Sequence, residues 1–412
     1  MKPRIFPLVT LTLAAALMAL AATAEAQQKT WNFGQVLQTT LASHPLVLGK
    51  RSAQAAAQSE REGAEWQRFP SLSVEASTQG GGASLLRLEQ PLWNGGRIRS
   101  GIDAAGSRLD AAGAALGEAR QDLSLKVIAA TTEALRQQSR QQHGVTSVKE
   151  HEKLLGMIRR RVTQEVSPMA DQQLASSRLL ATENELSATT QAFNNALAQL
   201  SQLAGEPVTA IAGQGLNEIA APASLDAALT QALAYAPTLR RLAFEEETAN
   251  AEIASKRTAY MPQLVLRLEN RTGTQTPDRR AMLVLLAQPG AGLSALAGVD
   301  AAVSRREAAR MARLAAERDV RERVTLDWNE WLAARVRVEN ANQARTMSTE
   351  VSASYARQYT AGRKTWIDVL NAVREATQSE LAVDDARAQM QAAKLRLRAL
   401  SGTLINAAGA VQ

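Results

Sequence analysis

Among the side chains best suited to binding a metal or moving a proton near neutral pH, this 412-residue chain has three histidines and no cysteine. His44, His143 and His151 stand in no metal-ligand spacing, and neither a nucleophile elbow nor a phosphate-cradling glycine loop occurs. His143 and His151, eight apart in a long polar stretch, read as solvent-facing. The residues that stand out are carboxylates at helix starts. Thr365-Trp-Ile-Asp368 has the spacing of a capping box, and Ser167-Pro168 looks like an N-cap and first-turn proline with Asp171 near the positive helix end. Such aspartates serve as caps. No residue is expected to be catalytic or to hold a cofactor or metal, so the chain reads as a non-enzyme.

Those two aspartates lie 197 residues apart, and that offset belongs to a duplication. Leu37, Pro45 and Pro70 return 192 residues later as Leu229, Pro237 and Pro262. Gln90-Pro91 returns at an offset of 198 as Gln288-Pro289, and Gly205 at 197 as Gly402. One unit of about 190 residues is therefore present twice, and a repeat of this size constrains the fold more than any single motif. The expected organisation is a signal peptide over 1–26, a first repeat over 27–215 and a second over 216–412.

The leader reading rests on Lys2 and Arg4 ahead of an apolar run from Ile5 to Ala22, closed by the small-x-small sequence Ala24-Glu-Ala26. That run is short and diluted with alanine for a membrane span. With no cysteine after it, neither a lipoprotein anchor nor a disulfide framework is available. The formal charge is +7, and +6 once Lys2, Arg4 and Glu25 leave with the leader. Basic residues alternate with acidic ones along helical stretches, and the runs Arg159-Arg-Arg161 and Arg305-Arg306 lack interleaved aromatics, which argues against a nucleic-acid partner.

Proline marks the elements. None occurs between Pro91 and Pro168 or after Pro289, and these stretches are rich in alanine, glutamine, arginine, leucine and glutamate. Long helices are expected over about 98–162 and 293–357, each near 100 Å at about 1.5 Å per residue. The stripe Leu123, Val127, Ala130 and Leu135 is thin and suits close packing around a broad assembly. Shorter helices are expected over about Leu46–Gln67, Thr238–Ala259, Met169–Leu203 and Trp366–Leu400.

Two hairpins separate the helices. Leu72, Val74 and Ala76 alternate on one face, a glycine-rich turn Gln79-Gly-Gly-Gly-Ala83 follows, and Leu86-Arg-Leu-Glu-Gln-Pro-Leu92 alternates back, giving strands within about 70–92. The second copy has Leu264, Leu266 and Leu268, a polar loop from Arg271 to Arg280 and a return strand from Ala281 to Gln288, within about 263–288. Strands of about nine residues suit a tilted membrane strand, yet four cannot close a barrel. Several protomers would have to share one.

This order of features resembles the outer-membrane efflux protein family, the TolC-like channels of tripartite efflux pumps and type I secretion systems. The resemblance spans the chain beyond the leader. Its carriers are the duplication, Gln90-Pro-Leu-Trp-Asn-Gly-Gly-Arg97, and Tyr359-Thr-Ala-Gly-Arg-Lys-Thr-Trp-Ile-Asp-Val-Leu-Asn371. It implies a mainly α fold with a membrane β-barrel part: long antiparallel helices forming a periplasmic α-barrel, and four strands per protomer in a twelve-stranded barrel shared by a homotrimer. It further implies outer-membrane lipid around the barrel, extension into the periplasm, and docking to a periplasmic adaptor and an inner-membrane ABC or proton-driven transporter.

Within the resemblance, Asp368 falls at the aspartate ring of the periplasmic entrance, and the second ring position holds Asn371, which implies weaker cation selectivity. Tyr359 and Lys364 fall at the tyrosine and arginine that keep the entrance shut, with Asp171 as their acidic partner; lysine lacks the bidentate fork of arginine. Glu165 replaces the glycine found at Gly362. Trp93 reads as an interfacial anchor or a packed residue, and Gly95-Gly96 as the sharp turn from strand to helix. The implied function is a passive exit duct. The wording of Glu65-Trp-Gln-Arg-Phe-Pro70 and Gln90-Pro-Leu-Trp93 looks more like the adhesin-exporting type I secretion branch than the drug-efflux branch. The alternatives are a small-molecule efflux channel and a periplasmic coiled-coil scaffold, which would have no need of duplicated hairpins.

Overall fold

A computed structural model of the chain describes residues 30–76, 84–213, 216, 219–258, 261–272, 278–287 and 294–404. The leader, the Gln79–Ala83 turn and Gln288-Pro289 lie outside the described residues. Two 67-residue helices dominate, α3 (Arg97–Thr163) and α7 (Ser294–Thr360). At about 1.5 Å per residue each runs about 100 Å, uninterrupted because no proline falls within it.

Each long helix has a shorter antiparallel companion beyond its tip, α4 (Met169–Ala204) and α8 (Trp366–Leu400). Toward the sheet the companions are α2 (Pro45–Trp66) and α6 (Pro237–Thr258). Two 11-residue helices not expected from the sequence, α1 (Phe33–Ser43) and α5 (Leu225–Tyr235), precede them. In the first repeat, His44 ends α1 and caps α2, its Nδ1 accepting from the Leu46 backbone N–H at 3.1 Å. β1 (Thr30–Asn32) pairs in parallel with β4 (Ala210–Ala212) and clasps the middle of the molecule.

The largest core surrounds that clasp. Trp31, Phe33, Val36 and Leu37 pack on Leu123, Val127 and Ile128 of α3, Leu200 of α4 and Leu395 of α8. The stripe on α3 is thin, and small residues such as Ala130 and Ala134 are fully covered within it, so the helices approach closely. Smaller apolar clusters lie at the helix tips and under α5, and ion pairs also join the helices. Glu118 on α3 takes Arg241 Nε of α6 at 2.7 Å, and Asp385 on α8 takes Arg136 and Arg140 of α3 at 3.0 Å each.

The remaining strands, β2 (Ser71–Ala76), β3 (Ser84–Trp93), β5 (Gln263–Thr272) and β6 (Asp278–Leu286), form one antiparallel sheet in that order. It is open at β2 and β6. The polar loop expected from Arg271 to Arg280 is shorter than that: Arg271 pairs with Asp278 and Asn270 with Arg279, so these residues extend the strands. Cross-strand pairing recruited charged residues that composition alone assigns to a loop.

Candidate functional site

The tips of the long helices carry most of the residues the sequence singled out. At the tip of α3, Glu165 N–H donates to Val162 O at 2.9 Å and Val166 N–H to Arg161 O at 2.8 Å. The same two bonds recur 197 residues on: Gly362 N–H donates to Tyr359 O at 3.0 Å and Arg363 N–H to Gln358 O at 2.9 Å. Both turns need a left-handed residue, Glu165 at φ 59° and Gly362 at φ 73°.

The following helices start differently. Pro168 is the N-cap of α4 and supplies no side-chain acceptor, so Ser167 does not take the capping role its position suggested, and Asp171 sits in the first turn. Thr365 opens α8 with a complete capping box. Asp368 Oδ2 accepts from Thr365 N–H at 3.0 Å and from its hydroxyl at 2.8 Å. The Thr365 hydroxyl, then its backbone N–H and more weakly the Lys364 charge, hold this exposed carboxyl below the usual aspartate range, against a small desolvation penalty. Asn371, one turn on, is exposed and lines a cleft of about 220 Å³ with Leu370, Arg374, Leu174 and His151.

Tyr359 is buried, 5% exposed, with Leu155, Ile158, Ala175, Val369 and Leu370 around it. Its ring lies 6.0 Å from that of Trp366, the Arg161 guanidinium sits 4.8 Å above it, and among the described residues its hydroxyl has no hydrogen-bond partner. Lys364 Nζ rests 4.2 Å over the Tyr355 ring. Among the described residues Asp171 forms no ion pair, and no hydrogen bond or ion pair joins it to Tyr359 or Lys364. One chain gathers the three at the helix tips without linking them. Arg161, Tyr355 and Trp366 were not among the expected site residues; the spacing of Tyr355, Tyr359 and Trp366, four and seven apart, was the available signal.

The two histidines are a correction. His143 does not face solvent alone: its Nδ1 lies 3.2 Å from Glu380 and its Nε2 3.3 Å from Asp384, both on α8. His151 is buried, with Nδ1 2.9 Å from Ser147 O. A helix that is polar throughout still buries one side when a second polar helix packs on it, and hydropathy does not register that side. Burial pushes the Asp384 carboxyl up, and the His143 and Arg387 charges partly oppose this. Among the described residues no cluster of histidine and carboxylates is arranged to hold a metal ion.

At the other end of α3, Gly95 and Gly96 take φ of 61° and 92° and turn the chain from strand to helix. A side chain at Gly95 would begin 2.9 Å from Met261 Sδ. Asn94 Oδ1 accepts from Gly96 N–H at 3.2 Å, and Trp93, half exposed, follows a register shift in β3. The sheet above it is two-faced. Register places Leu72, Leu88, Leu268 and Ala281 along one face, whereas Arg87, Glu89, Arg267 and Glu269 stand on the other. No described helix is long and apolar enough to cross a membrane.

Comparison with known proteins agrees with this geometry. The outer membrane protein VceC of Vibrio cholerae superposes with a TM-score of 0.80 at 16% identity, covering 90% of this chain and 96% of that one. A membrane protein from Pseudomonas aeruginosa gives 0.80 at 19% identity, covering 89% and 92%. The open state of the MtrE outer membrane channel of Neisseria gonorrhoeae gives 0.75 at 17% identity, covering 90% and 89%. No curated protein sequence matches. These likenesses establish the TolC-like channel fold, and the sequence model described as outer membrane efflux protein matches residues 36–206 and 228–403. The chain therefore belongs to the outer membrane efflux protein family, whose members sit in the outer membrane and extend into the periplasm.

Proposed function

We propose that this protein is the passive outer-membrane exit duct of a tripartite system, taking substrate from an inner-membrane transporter and a periplasmic adaptor to the outside. The family is one of passive channels, not enzymes, and its members form trimers that work with such partners. The observation that carries the reading is the open four-stranded sheet, apolar on one face and charged on the other, fused to helices about 100 Å long. Three such sheets complete a twelve-stranded barrel with no free edge.

In this reading the helix tips form the periplasmic entrance. Asp368 supplies a single acidic ring, Asn371 a neutral one, and Tyr359, Lys364 and Asp171 the contacts that hold the entrance shut between neighbouring helices. Energy comes only from the inner-membrane partner. For cargo we propose a secreted protein of the adhesin type, supported by the wording of Glu65–Pro70 and Gln90–Trp93. The efflux description of the family favours small molecules as the second reading.

Conductance of the purified protein in a planar bilayer tests the duct. Small, long-lived steps that trivalent cations weaken are expected; well-folded protein that gives none, where a control channel inserts, would favour a periplasmic scaffold. Deleting the gene separates the cargoes. Loss of a surface adhesin supports protein export, and drug sensitivity with intact adhesin export supports efflux.

A further inference from the structure

The charges of the sheet are distributed in a way that the duct reading does not require. The same four residues, Leu-Arg-Leu-Glu, occur at 86–89 in β3 and at 266–269 in β5. The two strands are antiparallel neighbours, and their register sets Arg87 opposite Glu269 and Glu89 opposite Arg267. Both pairs close, Arg87 Nε to Glu269 Oε1 at 3.0 Å and Arg267 Nε to Glu89 Oε1 at 2.7 Å. A second contact, Arg87 to Glu89 at 3.9 Å, joins them into a quartet.

The same face carries Arg280, paired with Asp278 at 2.6 Å, and also Glu75 and Arg271. Four arginines thus meet four carboxylates on this face. The opposite face carries a single charge, Arg279, at the end far from the helices. Residues 77–83 and 273–277, which follow β2 and β5 in the sequence, contain no charged residue, so the balance over the strands is complete.

We infer that this quartet is a self-neutralising wall inside the exit barrel, which makes the barrel indifferent to the charge of what passes and leaves charge selection to the helical entrance. The inference rests on the duct reading, because that reading turns the apolar face to lipid and the charged face inward. The physical argument is electrostatic. A narrow passage walled by low-dielectric material focuses the field of any unpaired charge on it, and repeated copies of one sign set ion preference. An ion pair at 3 Å presents a dipole whose field falls off steeply, so charged side chains can keep the wall wetted without selecting by sign. The reciprocal Leu-Arg-Leu-Glu pairing secures this, since a slip of two residues, which keeps the same faces together, would set Arg87 against Arg267 or Glu89 against Glu269.

The test is the reversal potential of single channels under a potassium chloride gradient. The double variant Glu89→Gln with Glu269→Gln leaves Arg87 and Arg267 uncompensated in every protomer, and the permeability ratio is expected to move toward chloride by at least about twofold. Arg87→Gln with Arg267→Gln should move it toward potassium by a similar factor. The charge exchange Arg87→Glu with Glu269→Arg keeps the wall neutral and should retain the wild-type ratio. Loss of pairing could prevent one double variant from assembling, and either of the two suffices. Channels that form and keep the wild-type ratio in either double variant overturn the inference. Wild-type protein that forms no channel overturns the duct reading instead.

Discussion

Glu165 and Gly362, 197 residues apart, adopt the same left-handed backbone, φ 59° and φ 73°, and close the same turn at the tips of the two long helices. A residue with a Cβ in that conformation costs about 1–2 kcal/mol. Glycine returns about 0.5–1 kcal/mol of this through the freedom it gives the unfolded chain. Glu165→Gly is therefore expected to raise the thermal midpoint slightly, and Gly362→Ala, with open space around its Cβ, to lower it through a loss of about 1 kcal/mol in stability. Thermal unfolding of both variants measures this; a Glu165→Gly variant clearly less stable than wild type would contradict the strain.

A second pair of equivalent glycines behaves unequally. Gly205 and Gly402 both sit at φ near 72° after α4 and α8. A Cβ at Gly205 meets only Ser43 Oγ at 4.0 Å, whereas one at Gly402 would collide with the Tyr235 ring. Gly205→Ala should lose about 1–2 kcal/mol from the backbone alone. Gly402→Ala adds overpacking of about 1–3 kcal/mol. Equal losses for the two would show that Tyr235 moves aside freely.

Between α3 and α8, Asp384 is buried beside His143 and Glu380. Burial raises its folded pKa above the unfolded value. A raised carboxyl favours folding below the unfolded pKa, and that contribution is lost as pH rises through the folded pKa. Asp384→Asn removes the ionised form while Glu380 still faces His143. Its thermal midpoint should exceed wild type at pH 7 by roughly 1–3 °C, and the difference should vanish below the usual aspartate range. A gap that widens on acidification would reverse the sign and refute the assignment.

The Tyr359 hydroxyl is buried without a partner, and an orphaned hydroxyl costs about 1–3 kcal/mol. Tyr359→Phe should leave the isolated fold as stable as before, or more so. Any change in single-channel conductance then reports the hydroxyl's part in holding the entrance between helices. A rise is expected; unchanged conductance with unchanged stability argues against the latch.

Much of this was legible because the chain is written twice. The shared offsets of Asp171 with Asp368 and Gly205 with Gly402 placed the helix tips and ends, and missing prolines gave α3 and α7 nearly to their bounds. What escaped depends on pairing between distant segments. The clasp of Thr30–Asn32 with Ala210–Ala212 is only three residues long. Arg271, Asp278 and Arg279 look like loop until β5 and β6 align them. His143 sits in a sequence with no apolar rhythm, so the helix that covers it could not be read from its neighbours. α1 and α5, eleven residues each, were not expected at all, because Pro45 and Pro237 mark the starts of the helices expected there and nothing was assigned ahead of them.

Asp368 has two readings, a cap and a pore charge, and one atom set serves both. Its carboxylate closes the capping box with Thr365, and its charge is held on by the same hydrogen bonds. Asparagine keeps an acceptor oxygen for the Thr365 N–H and removes the charge; alanine removes both. If Asp368 acts at a constriction, Asp368→Asn should abolish the block by trivalent cations while the thermal midpoint stays near wild type, and Asp368→Ala should abolish the block and lower the midpoint. Because its pKa is depressed, the charge is present above the ordinary aspartate range and is lost only as pH falls through the lowered folded value, so block should persist in mild acid. Block that survives in Asp368→Asn would leave the residue a cap and move the selecting charge elsewhere on the helix tips.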